Sequence, residues 1–498
     1  MLMIIVDRNS EIRFLKGVVR SKSSVIILSL RGYGKTHLLR VFREVMVKEG
    51  FRGVYLNCLR IYTGEDLINI FIEDLKENIP DSGWKEGLLS TVYRTIPRHV
   101  DSKEALEFVF RLSHNHGISF MIFDEISALM TRFGLRRPYR GYGGAKAVAE
   151  HIKGLLDTYA ISVIFADTSL ESIYVLAKDY SAPLFKEIKH TMFLPPLSFE
   201  DSLALIKMEL EKRGKSLGDE AMVRIAEMTY GVPQYIIMFV ETVESDMGVS
   251  EVEKKFYREI TEGSFHAYFK LLFEKFSTME QEILVHLSRK VSRAADIARK
   301  VPGAHSVLDV LTRKGIIKKV VKSEKEVHYF ITDKLFEAWL QLQDIGEYKK
   351  MSERRSKILS YGFEALMREA LFAMNQPLKI GDILGREIEI GPYARVVRYE
   401  GALGEIDAVA YVDKKTVDVY EITLELVDKD KLEQLLSKIV MAEKMGLNVR
   451  RGIIISYSGY KKRSIDHAKA LLKSGAKIYL ISRAEAKLIA KTGRVRIP

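Results

Sequence analysis

Three short stretches carry side chains able to hold a phosphate chain and a divalent cation. The first is Arg31-Gly32-Tyr33-Gly34-Lys35-Thr36-His37, which follows the apolar run VIILSL over 25–30. Phosphate oxygens are held by backbone N–H groups turned inward. That requires small residues where the chain bends tightly, and Gly32 and Gly34 meet the need. A helix beginning at Lys35 would add the partial positive charge of its N-terminus. From there Lys35 would reach the β- and γ-phosphates, and the Thr36 hydroxyl would ligate Mg²⁺. Ser29 stands where the pattern G-x-x-x-x-G-K-S/T has its first glycine. If that position required positive φ, serine would be costly there. The second stretch, SFMIFDE over 119–125, is an apolar strand ending in Asp124-Glu125. The aspartate would hold the Mg²⁺ hydration shell and the glutamate would polarise an attacking water. The third ends in Asp167-Thr168-Ser169, polar side chains able to read a γ-phosphate. Each alone fits a capped strand or an ordinary helix start, but strand, loop and helix followed by a second acidic strand point to a nucleotide site. The expected set is Arg31, Gly32, Tyr33, Gly34, Lys35, Thr36, His37, Asp124 and Thr168 around ATP and Mg²⁺, with Lys35 and Glu125 catalytic.

A separate group lies near the C-terminus. RVVRYEGALGEIDAVAYVDKKTVDVYEITLE (395–425) contains two β-rich runs, with Asp407 on the first and Glu421 ending the second. Two carboxylates on adjacent strands can reach one hard cation. The arrangement resembles the PD-(D/E)xK nuclease core, in which an Asp and a Glu bind Mg²⁺ and a lysine two residues on assists the attacking water. The resemblance implies a metal set of Asp407 and Glu421, completed by Glu364 on the preceding helix. Thr423 occupies the lysine's place, so Lys431, Gln434 or Lys438 would have to supply the amine from the next helix. The alternative is a nuclease fold that no longer cleaves and serves binding or assembly.

The elements that must position these groups can be read from hydropathy. Between Ser24 and Leu194 short apolar runs alternate with amphipathic helical patterns, which predicts a parallel sheet covered on both faces. The pattern turns helical from Ser198, and 276–340 reads as three helices, a run, a charged turn and a second run, the order of a winged helix with its recognition helix over Val307–Gly315. A helix around Phe363–Met374 and strands from Glu387 then follow. The 498 residues exceed what one core supports. The expected architecture is α/β: a P-loop NTPase parallel sheet over 1–197, a helical lid over 198–270, a winged helix over 271–350 and a PD-(D/E)xK nuclease-like α/β domain over 351–498. Charge divides along the same line. Residues 1–270 balance at 36 Lys+Arg and 36 Asp+Glu, whereas 271–350 carry 15 against 11 and 351–498 carry 27 against 19. A basic second half suits contact with nucleic acid. Arg132, Arg136, Arg137 and Arg140, among Phe133, Tyr139 and Tyr142, would grip phosphates while the rings stack on bases. The same segment fits a plain surface loop or subunit interface equally well. Arg313, Lys314, Lys318 and Lys319 would serve DNA in the winged helix. Cys58 is the only cysteine, which rules out an internal disulfide and fits a reducing cytoplasm. No apolar run is long enough for a membrane span, and the opening MLMIIVDRNSE lacks the basic region of a secretory signal.

These stretches together resemble the archaeal P-loop ATPases of the signal-transduction-ATPase branch related to AAA+ proteins, in which a winged helix and often a nuclease-like domain of unknown function follow the ATPase. IVDRNSEIRFL (5–15) is similar to the family's entry segment, which implies a place near the base for Arg8. SAPLFKEIKH with LPPLSFED (181–201), YGVPQYI (230–236) and YFITDKLFEAWL (329–340) resemble its run into the lid, its Gly-x-Pro lid element and the end of its winged helix. Where the family usually has a finger arginine this chain has Lys186-Glu187, and Lys186 or Lys189 lacks arginine's planar fork. The resemblance therefore implies slow hydrolysis and a nucleotide-dependent switch acting on DNA, in genome maintenance, mobile-element biology or defence. A nucleotide-gated protein scaffold, a homo-oligomer among its forms, and an ATP-licensed Mg²⁺ nuclease are the competing readings.

Overall fold

The computed structural model describes residues 8–78, 86, 87, 89–91, 100–136, 138, 144–168, 182–184, 187–289, 292–323, 326–343, 351–401, 404–493 and 495. The chain forms two compact units, Met1–Pro195 and Pro196–Pro498. The first unit runs α1 (Asn9–Arg20), β1 (Val25–Leu28), α2 (Lys35–Lys48), β2 (Gly53–Asn57), α3 (Gly64–Asn78), α4 (Ser102–Asn115), β3 (Phe120–Asp124), α5 (Ile126–Gly134), α6 (Ala145–Thr158), β4 (Ser162–Asp167) and β5 (His190–Phe193). Its five strands are ordered β2-β3-β4-β1-β5 and every pairing is parallel.

Alternating side chains of these strands feed two cores. Val25, Ile27, Ile122 and Ile164 pack with Leu15, Leu39 and Phe42 of α1 and α2. Ile26, Leu28, Phe123 and Phe165 pack with Phe71, Leu106, Phe110 and Ile152 from α3, α4 and α6. Each fully buried side chain of this kind contributes about 1.5–3 kcal/mol. The sheet is the P-loop NTPase arrangement, with β1 flanked by β4 and β5. The tips of β1, β3 and β4, which carry the three stretches singled out above, therefore share one edge.

The second unit begins with five helices, α7 (Phe199–Lys212), α8 (Asp219–Met228), α9 (Pro233–Thr242), α10 (Val249–Thr261) and α11 (Ser264–Phe273). Ser198 and Asp201 form a capping box at the start of α7. Next come α12 (Thr278–Arg289), β6 (Ser292–Arg293), α13 (Ala294–Ala298), α14 (Ala304–Arg313), β7 (Ile317–Ser323), β8 (Glu326–Ile331) and α15 (Lys334–Gln343), with the strands in an antiparallel sheet ordered β6-β8-β7. α14 covers most of the Val307–Gly315 segment but starts three residues earlier, on Gly303 in the left-handed conformation (φ 81°).

The last part contains α16 (Met351–Ala373), β9 (Leu378–Gly381), β10 (Glu387–Ile390), β11 (Arg395–Gly401), β12 (Gly404–Tyr411), β13 (Thr416–Thr423), α17 (Lys429–Lys444), β14 (Asn448–Ser456), α18 (Lys462–Lys473), β15 (Ile478–Ile481) and α19 (Arg483–Thr492). Its main sheet is ordered β11-β12-β13-β14-β15, antiparallel through β13 and parallel beyond it. A hairpin partner at Leu378 precedes the strand expected from Glu387, and the two pair antiparallel. No described helix is long and apolar enough to cross a membrane.

Candidate functional site

The loop after β1 answers the question posed by Ser29. Gly32 and Gly34 take φ of 86° and 88°, where a side chain would be strained. Among the described residues the non-glycine positions with positive φ are Lys22, Glu125, Tyr230 and Asp246, and Ser29 is not one of them. Serine is therefore admissible at the loop's entry, and its Oγ is buried without a hydrogen-bond partner.

Around this loop the three strand tips converge. Lys35 Nζ donates to Glu125 Oε1 at 2.6 Å, and the lysine side chain is only 5% exposed. Thr168 Oγ1 donates to Glu125 Oε2 at 2.5 Å. Thr36 Oγ1 donates to Asp124 Oδ2 at 2.7 Å, and the Tyr55 hydroxyl donates to the same oxygen at 2.7 Å. Asp124 Oδ1 is buried with no partner. The two carboxylate oxygens are thus unlike: one is held by two neutral hydroxyl donors and the other is buried without a hydrogen-bond partner. Glu125 sits at φ 59°, ahead of α5, a conformation that costs roughly 1–2 kcal/mol in a non-glycine residue and is concentrated at functional sites. Asp167 accepts from the Ser127 N–H at 2.7 Å and so ties β4 to the start of α5.

Arg8 is buried beside the loop. Its NH2 donates to the carbonyls of Tyr33 (3.1 Å) and Pro195 (2.8 Å), and its NH1 donates to Glu11 at 3.1 Å. Arg31 and His37 are exposed at the loop. Desolvation, opposed by Glu44 and assisted by Arg40 and Arg8, holds His37 below its ordinary value. Tyr55 was not legible from sequence, since a tyrosine in an apolar strand reads as core. Its role depends on β2 lying beside β3.

The basic residues expected at DNA divide. Arg132 is engaged internally: its NH1 donates to the carbonyls of Cys58 (3.2 Å), Leu59 (2.9 Å) and Ile61 (2.8 Å), and its guanidinium lies 3.9 Å over the Tyr62 ring. It caps the carbonyls of the short 3-10 turn Cys58–Arg60 that follows β2. Arg136 is exposed, and Arg137 and Arg140 lie outside the described residues. Lys314 pairs with Glu280 at 2.7 Å and Lys318 pairs with Glu369, whereas Arg313 and Lys319 are exposed.

In the C-terminal sheet, Asp407 Oδ2 accepts from the Ile422 N–H at 2.9 Å and Oδ1 from Lys438 Nζ at 3.0 Å. Glu421 does not join the acidic set expected for it. It lies between two ammonium groups, paired with Lys438 and, at 3.0 Å, with Lys431. Among the described residues, Glu364, Glu405 and Asp407 form the group of three carboxylates whose oxygens lie within 4.8 Å of one another. Glu405 could have been found from GEID, because residues two apart on a strand face the same side. Arg398 pairs with Glu405, and Arg368 donates to the Asp407 carbonyl at 3.0 Å and lies 3.6 Å from Glu364. Burial, reinforced by the Asp407 charge and opposed by Arg368 and Arg398, lifts Glu364 to about 8. Burial disfavours the Lys438 ammonium, but Asp407 and Glu421 outweigh it and hold Lys438 well above its ordinary value. Beside this cluster opens a cavity of about 480 Å³, lined by Gly404, Glu405, Asp430, Glu433, Gln434 and Lys438 among others.

No family profile matches this chain, and no curated protein does. Among solved structures it is similar to a Walker-type ATPase of Pyrococcus abyssi, at 17% identity over 68% of this chain and 96% of that one, with a TM-score of 0.48. It is similar to the Aeropyrum pernix ORC2 protein, solved as ADPNP–ADP complexes, at 14% identity over 68% and 97% of the two chains, TM-score 0.44. It is also similar to the Thermotoga maritima RuvB Holliday junction branch migration motor, at 12% identity over 67% and 94%, TM-score 0.34. At such values the likeness assigns neither an activity nor a partner to this chain.

Proposed function

We propose that the first unit binds ATP with Mg²⁺ and hydrolyses it slowly, and that its nucleotide state switches how the basic second half of the chain engages DNA. The observation that carries the reading is the divided carboxylate of Asp124, with Oδ2 on Thr36 and Tyr55 and Oδ1 buried and unpartnered. Bound Mg²⁺ would draw charge from the β- and γ-phosphates. Thr36 and Asp124 would hold it, the N–H groups of Gly32–Lys35 would cradle the phosphates, and Lys35 would leave Glu125 to meet them. Glu125, released from Lys35 and still held by Thr168, is then placed to take a proton from water. The test is calorimetric titration of the full chain with ATP, with and without Mg²⁺. Tight binding that requires Mg²⁺ is expected, and binding indifferent to Mg²⁺ contradicts the reading.

Tyr55→Phe removes one donor to a charged oxygen, an interaction of about 1.5–3 kcal/mol. It is expected to raise the Mg²⁺ concentration for half-maximal ATP turnover by roughly tenfold while ADP binding in EDTA stays unchanged, since Tyr55 would act on the metal through Asp124. Equal losses in both would assign Tyr55 a purely structural part.

The Glu364–Glu405–Asp407 cluster with Lys438 favours a second reading, a Mg²⁺-dependent phosphodiester hydrolase. The Lys438 amine on Asp407 and Glu421 stands in for the lysine that Thr423 replaces. A carboxyl raised to about 8 is protonated in the folded chain at neutral pH and its metal-bound form is not. Mn²⁺ binding is therefore expected to tighten as pH rises from 6 to 8, with proton uptake by buffer. The same shift makes the fold lose stability as pH climbs from the unfolded value of 4.5 toward 8. pH-independent Mn²⁺ binding would contradict this placement of Glu364. Cleavage of DNA that persists in Asp407→Ala would sink the hydrolase reading.

A further inference from the structure

The turn between α8 and α9 holds two consecutive residues in the left-handed region, Tyr230 at φ 51° and Gly231 at φ 67°. Gly231 is forced by its neighbours: a Cβ there would stand 2.6 Å from the Leu197 carbonyl oxygen, and its own carbonyl accepts from the Leu197 N–H at 2.7 Å. Tyr230 has no such excuse, because an aromatic residue at positive φ is strained. Its strain is matched by a second irregularity across the contact. Gly362 lies inside the 23-residue helix α16, where glycine costs about 1 kcal/mol relative to alanine. A methyl group on Gly362 would overlap the hydroxyl and Cζ of Tyr230. The tyrosine is 8% exposed and cannot swing aside. Two locally unfavourable residues therefore exist for one close approach.

The turn of α16 met by Tyr230 also carries Glu364, the helical member of the acidic cluster whose other two carboxylates lie on β12. Glu364 is two residues on, 6% exposed, with Oε2 lacking any hydrogen bond. Tyr361, one residue before Gly362, lies under the Arg398 guanidinium at 5.1 Å, and Arg398 pairs with Glu405. Glu364 also lies near enough to act electrostatically on the Tyr230 hydroxyl. A second fastening ties the same helical region to the last sheet. Arg483 stacks between Phe199 of α7 (4.4 Å) and Tyr457 (4.2 Å).

We infer that Tyr230 is a positioning residue for Glu364, so that a shift of the α8–α9 turn is transmitted through Gly362 to the acidic cluster and sets its readiness to take a divalent cation. The inference rests on the metal reading of that cluster. It makes the lid a control element of the C-terminal site, with the chain entering at Leu197 gripped at one end of the turn and Glu364 set at the other.

The test is Mn²⁺ titration of the full chain by calorimetry, counting the binding that Asp407→Asn removes. Gly362→Ala is expected to weaken that binding by about fivefold, the scale of a coupling of about 1 kcal/mol. The double variant Tyr230→Gly/Gly362→Ala, which vacates the space, is expected to recover the affinity of Tyr230→Gly alone. If Gly362→Ala does not fold, Tyr230→Phe serves in its place and is expected to weaken Mn²⁺ severalfold. Mn²⁺ affinity unchanged in these variants, or no recovery in the double, overturns the positioning role while the metal site stands. No Asp407-dependent Mn²⁺ binding in the parent chain overturns the metal reading and this inference with it.

Discussion

Lys35→Ala is expected to weaken Mg²⁺–ATP binding by about two orders of magnitude, the loss of one or two charge-assisted contacts worth roughly 1.5–3 kcal/mol each. Lys35 opens α2 directly behind Gly34, its side chain is buried, and its amine already points at Glu125 within the strand-tip cluster. Removing it also strips Glu125 of its ammonium partner while leaving the Thr168 hydroxyl as a donor. Fluorescent ATP titration checks the prediction. A loss below fivefold would mean that the phosphates do not pass over Lys35, and the nucleotide reading would have to be redrawn.

Asp418→Ala is expected to destabilise the second unit by about 3–5 kcal/mol, the cost of stripping one partner from a buried ionic cluster. Asp418 is fully buried on β13. It accepts from Arg450 Nε (2.8 Å) and NH2 (2.6 Å), Arg451 NH2 (2.9 Å) and the Tyr393 hydroxyl (2.6 Å), which in turn is 2.5 Å from the Tyr420 hydroxyl. The alanine would strand the Arg451 charge and leave two buried phenols short of an acceptor. Urea unfolding of the full chain would show an early second-unit transition, while ATP binding by the first unit persists. A change under 1 kcal/mol would mean that water enters and solvates the arginines, contrary to the burial of Asp418.

Much of the first unit was legible because its chemistry is local. The loop glycines, Lys35 and Thr36 are contiguous, and Asp124-Glu125 and Asp167-Thr168 each end an apolar run, so a parallel sheet alone brings them to one edge. Ser29 was ambiguous only until its φ was known. Tyr55 and Arg132 were harder because each acts through a neighbour distant in sequence: β2 beside β3, and a turn 71–74 residues away. Glu421 was assigned to the metal set because strand pairing places it near Asp407, but helix α17 delivers Lys431 and Lys438 onto it. Sequence periodicity does not reveal which face of a helix meets which strand. Gly362 gave no sign of its purpose, since a lone glycine in a helical pattern has no meaning until Tyr230 is seen against it.

The central claim is that Asp124, Glu125, Lys35 and Thr36 form a working Mg²⁺–ATP site despite Ser29. The most direct measurement is steady-state ATP hydrolysis by the purified full chain, with and without Mg²⁺, beside Glu125→Gln. Turnover well below the roughly 10 s⁻¹ typical of enzymes is expected, dependent on Mg²⁺ and abolished in Glu125→Gln with ATP still bound. Failure of the parent chain to bind ATP at all, or turnover that survives Glu125→Gln, would contradict it.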